Sequence, residues 1–319
     1  MLKILLIKTS SMGDVINNLP VVTDILAHHP DAQIDWVVEE TFADIPAMNS
    51  GVHRVIPIAI RRWRKHLFSR NTWHEIRQFK QMLHSELYDI VLDTQGLIKS
   101  AGITRLAQGT RCGFAWDSAW EPLATLAYNK TFSVDKTRHA VDRYRSLAAQ
   151  AFDYRLDRHI DYGITAPAIS PAWLPDSPYA VLLHATSRSE KLWPESAWTE
   201  LGHYFKQHDR VCMLPWGNES EQTRSYRLAE TIPNSIVPPR MRLTEAAAML
   251  SRAHAIVGVD TGLVHLAAAL KKPVAAIFCG SDPAANGLYA DTPVRNLGNI
   301  GAPPTVAEVI TAVEALAQA

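Results

Sequence analysis

An aspartate stands between the first apolar stretch of the chain and the first predicted helix. Residues 4–7 predict a buried parallel strand, residues 15–27 predict the helix after it, and Asp14 lies between them. A carboxylate here could take the proton of a substrate hydroxyl as a general base. It could also be the acid of a helix capping box that begins at Ser11. Lys8 and the helix dipole favour the ionised form, and the residues alone leave both roles open.

A second candidate site is the segment 259–265, VDTGLVH, which follows an apolar strand and opens an apolar helix. Asp260 or Thr261 can cap that helix, and Gly262 leaves its first amides accessible to an anion such as a diphosphate. His265 lies four residues after Thr261, on the same helix face. A well-capped helix that happens to carry a histidine is the alternative interpretation.

Two other segments could complete a site for a nucleotide. Thr186 and Ser187 offer hydroxyls to phosphate oxygens, and Lys191 offers a positive charge beside them. Glu221 follows another strand and could accept the hydroxyls of a ribose, although the usual G-x-G-x-x-G motif is absent. A solvated loop around Lys191 and a simple helix cap at Asn218 or Glu221 remain the alternatives.

Basic residues are concentrated in the first half of the chain. The run RRWRK places Arg61, Arg62, Arg64 and Lys65 together, and Lys99 follows a later strand. Such a cluster suits the phosphates or carboxylates of an anionic acceptor, with Trp63 stacking or anchoring at an interface. A solvated charged loop is the alternative.

The elements that must position these residues alternate between strand and helix. Strands are predicted at 33–38, 54–58 and 88–93 in the first half and at 179–184, 210–214, 255–260 and 274–278 in the second. We expect an N-terminal domain over 1–155, a proline-rich linker over 156–178 and a C-terminal domain over 179–319. Ligands of open parallel sheets bind beyond the carboxyl ends of the strands, where all the candidate residues are predicted.

Composition excludes several classes of protein. The chain has 319 residues with 32 basic and 32 acidic side chains, which argues against a nucleic-acid-coating protein. Three scattered cysteines indicate reduced thiols in the cytoplasm. The D-x-D, H-E-x-x-H and P-loop motifs are missing, so we expect neither a metal nor a cofactor. Because the apolar start is short and no stretch is long enough to span a bilayer, we expect neither a cleaved leader nor an integral membrane protein, while peripheral attachment stays open.

Taken together, these motifs resemble the ADP-heptose:lipopolysaccharide heptosyltransferases, and within that family the heptosyltransferase I branch. The resemblance covers nearly the whole chain and rests on IKTSSMGDV at 7–15, DWVVEE at 35–40, AIRRWRK at 59–65, QGLIKS at 95–100, LPWG at 214–217 and VDTGLVHL at 259–266. It implies a GT-B fold, in which two Rossmann-like α/β domains with mainly parallel sheets face a central cleft.

The resemblance also implies an activity. It is the inverting, metal-independent transfer of L-glycero-D-manno-heptose from ADP-heptose to a Kdo residue of Kdo-lipid A in lipopolysaccharide inner-core synthesis. The implied location is the cytoplasmic face of the inner membrane, where the protein is peripheral. By motif match, Asp14 is the catalytic base and Lys191 the cation beside the donor phosphates. The other implied roles are donor binding by Thr186, Ser187, Glu221, Met241, Asp260, Thr261, Gly262 and His265, and acceptor binding by Arg61, Arg62, Arg64, Lys65 and Lys99.

Three alternative functions differ from this interpretation in their chemistry. Heptosyltransferase II differs in its acceptor, and Trp63 within the basic run favours the first heptose transfer. A sugar-nucleotide epimerase on the same fold would convert its donor without an acceptor. A noncatalytic nucleotide-sugar sensor is disfavoured because a base and a phosphate-binding cation are both present.

Overall fold

The computed structural model describes residues 1–318, which form two α/β units. The first unit spans Met1–Ile164, and the second begins at Thr165. Each unit contains one sheet of six strands, and every strand pairing in both sheets is parallel. This confirms the predicted class of two Rossmann-like domains.

The N-terminal unit alternates strands and helices along the chain. Its strands are β1 (Lys3–Ile7), β2 (Gln33–Glu39), β3 (Val52–Ile58), β4 (Leu87–Asp93), β5 (Gln108–Phe114) and β6 (Lys130–Phe132). Its helices are α1 (Met12–Asn17), α2 (Leu19–His28), α3 (Asp44–Ala47), α4 (Ile60–Trp63), α5 (Arg70–His84), α6 (Ile98–Leu106) and α7 (Ala140–Phe152). The strand order is β3-β2-β1-β4-β5-β6.

The C-terminal unit repeats the pattern. Its strands are β7 (Tyr179–Leu183), β8 (Val211–Met213), β9 (Ser235–Ile236), β10 (Ala255–Val259), β11 (Val274–Phe278) and β12 (Val294–Gly298). Its helices are α8 (Glu195–Gln207), α9 (Glu219–Thr231), α10 (Leu243–Arg252), α11 (Gly262–Ala269), α12 (Pro283–Asn286) and α13 (Val306–Ala317). The strand order β12-β11-β10-β7-β8-β9 is the same sequence of crossovers as in the first unit.

The central strands are apolar because helices cover both faces of a parallel sheet. Residues 4–7 of β1 and all of β11 are fully buried. The crossover direction reverses between β1 and β4 in the first sheet and between β7 and β10 in the second. At such a switch point the flanking loops diverge and leave a crevice at the carboxyl ends of the strands.

One predicted helix is divided in two. The sequence predicts a single helix over residues 15–27, whereas α1 ends at Asn17 and α2 begins at Leu19. Pro20 lacks the amide hydrogen that would bond to the carbonyl of Ile16, so a continuous helix would be interrupted there. The amide of Asn18 instead bonds to the carbonyl of Val15 at 3.3 Å.

Candidate active site

Asp14 lies at the switch point of the N-terminal sheet, in the first turn of α1. Its Oδ2 accepts hydrogen bonds from the backbone amide of Ser11 at 3.0 Å and from the Ser11 hydroxyl at 2.7 Å. Its Oδ1 accepts a hydrogen bond of 2.7 Å from the hydroxyl of Tyr144 on α7. The side chain keeps 39% of its surface exposed. Asp14 therefore holds the helix start and still reaches solvent.

A buried lysine stabilises the charge of this carboxylate. Lys8 is 2% exposed, its Nζ lies 3.8 Å from Asp14 Oδ1, and the same ammonium sits 3.6 Å from the centre of the Tyr144 ring. Burial opposes ionisation of Asp14, but Lys8, Tyr144 and Ser11 outweigh it and the pKa of Asp14 is lowered. Burial lowers the pKa of Lys8 to about 8, although Asp14 attracts its proton. Asp14 is therefore ionised, and its negative charge lies in the first turn of α1, where the helix dipole also favours it.

Lys99 belongs to the same locality. Its Nζ donates a 2.8 Å hydrogen bond to the hydroxyl of Ser10. The loop after β4 and the loop after β1 are also joined by Gln95, whose Oε1 accepts bonds of 2.8 Å from both the amide and the hydroxyl of Thr9. Partial burial and the charge of Arg61 lower the pKa of Lys99. One predicted acceptor residue is thus placed beside the predicted base.

The basic run after β3 divides into paired and unpaired cations. Arg62 is held by Glu40 at 3.0 Å and by Glu75 at 2.9 Å, so its charge is already compensated. The Arg61 guanidinium lies 5.2 Å from the centre of the Phe42 ring. Arg64 and Lys65 are exposed and form no ion pair with any residue in the described range 1–318.

The prediction that Trp63 stacks on a ligand or anchors at an interface is wrong. Its side chain is only 9% exposed and belongs to the core of the N-terminal unit. Its indole N–H donates a 2.7 Å hydrogen bond to Glu75, and its ring packs edge-on against Phe79. Burial of this large apolar ring stabilises α4 against α5, which leaves no free face for a ligand.

In the C-terminal unit, Lys191 and Asp260 come together at the switch point between β7 and β10. Lys191 Nζ lies 2.5 Å from Asp260 Oδ2, and the hydroxyl of Ser281 donates to the same oxygen at 2.5 Å. Thr186 donates a 2.9 Å hydrogen bond to the carbonyl of Asp260. Ser187 is exposed on the same loop. Residues that follow β7 and β11 therefore contact the carboxylate that follows β10.

The helix that follows β10 begins where the sequence predicts, although the Thr261 side chain makes no capping hydrogen bond. Thr261 is the N-cap of α11, Gly262 is its first residue, and both are half-buried. A side chain at Gly258 would meet Val264 at 2.5 Å, so this glycine allows the helix to pack closely on the strand. His265 is 6% exposed within α11. The free amides of this helix start are positioned to bind an anion.

Glu221 and Met241 lie farther along the C-terminal unit, after β8 and before α10. Glu221 Oε2 accepts from the amide of Gly217 at 2.8 Å, and its Oε1 accepts from the side chain of Asn218 at 2.8 Å. Asn218 in turn caps α9. The capping interpretation of this segment is confirmed, while a ribose contact by Glu221 stays a prediction. Met241 is half-buried, and its contact with the donor stays a prediction.

Two residues of these clusters, Tyr144 and Ser281, are not among those predicted from the sequence. Tyr144 contacts Asp14 across 130 positions of sequence, and nothing in its local pattern indicates this contact. Ser281 was detectable, because it closely follows the end of β11 at the sheet edge where ligands bind.

Two features are absent from residues 1–318. No group of three or more histidine, cysteine, aspartate or glutamate side chains there is arranged to hold a metal ion. No helix in that range has both the length and the apolar character needed to cross a bilayer.

Comparison with known proteins places the chain in a family of sugar transferases. The profile of glycosyltransferase family 9 (heptosyltransferase) matches residues 76–312. The chain belongs to this family and is a glycosyltransferase.

Among individual relatives, it is 46% identical over 296 residues to lipopolysaccharide heptosyltransferase 1 of Pseudomonas aeruginosa, covering 92% of this chain and 83% of the relative. It also matches the solved structure of E. coli heptosyltransferase WaaC with ADP, at 41% identity and a TM-score of 0.91 over 99% of this chain and 100% of the other. The structure of WaaC with ADP-2-deoxy-2-fluoro heptose matches at 40% identity and a TM-score of 0.87 over 98% and 99%.

Proposed function

We propose that this protein transfers L-glycero-D-manno-heptose from ADP-heptose to a Kdo residue of Kdo-lipid A, with inversion and without a metal. The relatives named lipopolysaccharide heptosyltransferase 1 support the pathway, and the WaaC structures with ADP and an ADP-heptose analogue support the donor. The observation that carries the proposal is the ionised, partly exposed Asp14 carboxylate held by Lys8 and Tyr144.

Asp14 acts as the general base in this proposal. Its carboxylate removes the proton of the Kdo hydroxyl while that oxygen attacks the anomeric carbon of the heptose. The C–O bond to ADP breaks in the same step, and a single displacement of this kind inverts the anomeric configuration. The hydrogen bonds from Tyr144 and Ser11 fix the carboxylate, so the reacting oxygens need little reorientation.

The C-terminal unit binds the donor in this proposal. Lys191 and the first amides of α11 stabilise the negative charge that develops on the departing diphosphate. A diphosphate would compete with Asp260 for the Lys191 ammonium, leaving Ser281 as a hydrogen-bond partner of Asp260. The remaining donor contacts are assigned to Thr186, Ser187, Glu221, Met241, Thr261, Gly262 and His265. We propose metal independence because protein cations and amides can supply the charge that a metal would otherwise provide.

The acceptor contacts are assigned to the N-terminal unit. Arg64 and Lys65 are the strongest candidates because their charges are exposed and unpaired within residues 1–318. Lys99 is close to Asp14 because its ammonium donates a hydrogen bond to Ser10, in the loop that precedes α1. Arg61 and Arg62 are also assigned here, and Arg62 contributes least because two carboxylates already hold it. The acceptor is a membrane lipid, so the enzyme works as a peripheral protein on the cytoplasmic face of the inner membrane.

The experiment is mass spectrometry of Kdo-lipid A after incubation with ADP-heptose and the protein. A mass increase of one heptose, undiminished by a chelator, is the expected result. Product formed only with an acceptor that already bears one heptose would replace the proposal with heptosyltransferase II. Conversion of ADP-heptose without any acceptor would indicate an epimerase. The anomeric configuration of the new linkage, read by NMR, tests inversion.

A further inference from the structure

A surface of the N-terminal unit combines exposed apolar side chains with unpaired cations. Phe68 is 104% exposed, Trp73 53% and Leu67 50%. The cations beside them are exposed, and they form no ion pair with any residue between 1 and 318. We call this surface the basic aromatic patch, and it consists of Leu67, Phe68, Arg70, Trp73, Arg77 and Lys80.

The fold of α5 creates this patch. The helix buries Thr72, Phe79 and Leu83 against the unit. The patch residues of α5, from position 70 to position 80, recur at intervals of three or four and therefore form one exposed stripe. The indole N–H of Trp73 donates a 2.8 Å hydrogen bond to the carbonyl of Leu67, which joins the stripe to the preceding loop.

The local charge is strongly positive although the whole chain is neutral. Residues 61–85 contain seven arginines and lysines and a single acid, Glu75. Glu75 is occupied by hydrogen bonds from Arg62 and Trp63. The cations of the patch therefore face solvent without a neighbouring carboxylate to compensate them.

Exposed aromatic side chains among unpaired cations are typical of surfaces that lie on anionic membranes. Phe68 protrudes fully and has no surrounding walls, whereas a protein partner would have to supply a complementary pocket for it. A bilayer accepts a protruding ring at the level of its headgroups and needs no matching shape. We propose that the basic aromatic patch docks the enzyme on an anionic phospholipid bilayer.

This inference deepens the proposed function, because it names the surface by which the enzyme reaches a lipid-linked acceptor, and it rests on that function in this respect alone. Phe68 and Trp73 insert among the headgroups. Arg70, Arg77 and Lys80 lie against lipid phosphates. Arg64 and Lys65, assigned to the acceptor, adjoin the patch in sequence, so docking brings them to the surface that displays the acceptor.

The first experiment measures sedimentation with vesicles. The full chain should bind vesicles of phosphatidylcholine with one third phosphatidylglycerol, bind pure phosphatidylcholine weakly, and dissociate at high salt. Phe68→Ser and the double variant Arg77→Gln/Lys80→Gln should both bind these vesicles less tightly than wild type. For the double variant, the affinity should fall by about fivefold for each cation removed. Wild-type binding that ignores lipid charge, or patch variants that bind like wild type, would overturn the inference.

Matched controls remove similar groups elsewhere. Ile300→Ser removes a side chain that is 65% exposed in the C-terminal unit. Arg155→Gln/Arg158→Gln removes two exposed cations outside the patch. Both controls should bind anionic vesicles like wild type. A loss equal to that of the patch variants would show that any exposed apolar or basic residue suffices.

The second experiment separates docking from catalysis by comparing two acceptors. Patch variants should transfer heptose normally to a soluble acceptor without acyl chains and about tenfold or more slowly to the acceptor embedded in anionic vesicles. Equal losses on both acceptors would mean that the patch binds the acceptor itself and would refute bilayer docking. If wild type transfers to neither acceptor, the proposed function fails, while vesicle binding still decides the inference.

Discussion

Replacing Asp14 with asparagine separates the two roles that the sequence leaves open for this residue. The amide has the size of the carboxylate, and its oxygen can still accept hydrogen bonds from Tyr144 or Ser11. It cannot take up a proton at neutral pH. If Asp14 is the general base, turnover should fall by about 10²–10⁴-fold, the usual contribution of such a group.

The effect on stability should be smaller and can be worked from the structure. Two unit charges 3.8 Å apart, the separation of Lys8 and Asp14, attract by about 4 kcal/mol at an effective dielectric constant of about 20. Solvent reaches 39% of the Asp14 side chain, and screening reduces the loss to about 1–2 kcal/mol. Without Asp14, the pKa of Lys8 falls further, because Asp14 is its largest raising influence. The unfolding free energy lost in Asp14→Asn should therefore be smaller above pH 8, where Lys8 becomes neutral.

The assay measures ADP release with saturating donor and acceptor, alongside urea unfolding of the same samples. Asp135→Asn is the control, because Asp135 also accepts two hydrogen bonds of 2.8 Å in a loop, and no catalytic role is assigned to it. A folded Asp14→Asn protein that keeps more than about one tenth of wild-type turnover would refute the base assignment. Asp14 would then be only a capping residue.

Three further predictions concern the remaining features. The folded pKa of Lys8 is about 8, below its usual value of 10.5, so the unfolded chain binds more protons between these values. Stability should rise by about 2 kcal/mol from pH 8 to about pH 9.5; Lys8→Met should lack this rise in urea midpoints. Lys191→Ala should lower kcat/KM for ADP-heptose by about 10–150-fold, with partial rescue in Lys191→Arg; unchanged donor kinetics would remove Lys191 from the site. Gly258→Ala forces a Cβ to 2.5 Å from Val264 and should cost about 1–3 kcal/mol of unfolding free energy, whereas Gly102→Ala, where a Cβ meets nothing within 4 Å, should not destabilise.

Strands that are buried on both faces could be predicted because their sequences are continuously apolar. β1 and β11 are such runs, and both were predicted. β5 was missed because its sequence, QGTRCGF, contains two glycines and an arginine. It becomes a strand by pairing with β4 and β6, and a Cβ at Gly113 would meet the Tyr128 ring at 2.3 Å. β9 has only two residues, which is too short for any periodic pattern.

In the candidate site, too, some residues could be predicted from the sequence and others could not. Asp14, Lys191 and Asp260 were predictable, because each follows an apolar strand and parallel strands end at a common edge. The sequence alone thus determined the two Rossmann-like sheets and the edge of each that carries polar groups. The tertiary structure decided which groups meet there: Tyr144 with Asp14, and Ser281 with the Lys191–Asp260 pair.

Tertiary structure also decided which residues of the basic run remain available. In sequence, the four cations of the run 61–65 are equivalent and Trp63 stands among them. In the structure, Glu40 and Glu75 compensate the charge of Arg62, and Phe79 packs against Trp63. These partners come from other segments of the chain. Charge compensation and burial depend on contacts with residues from distant segments. Local sequence therefore identifies the side chains that could react, but it does not show which of them remain accessible after folding.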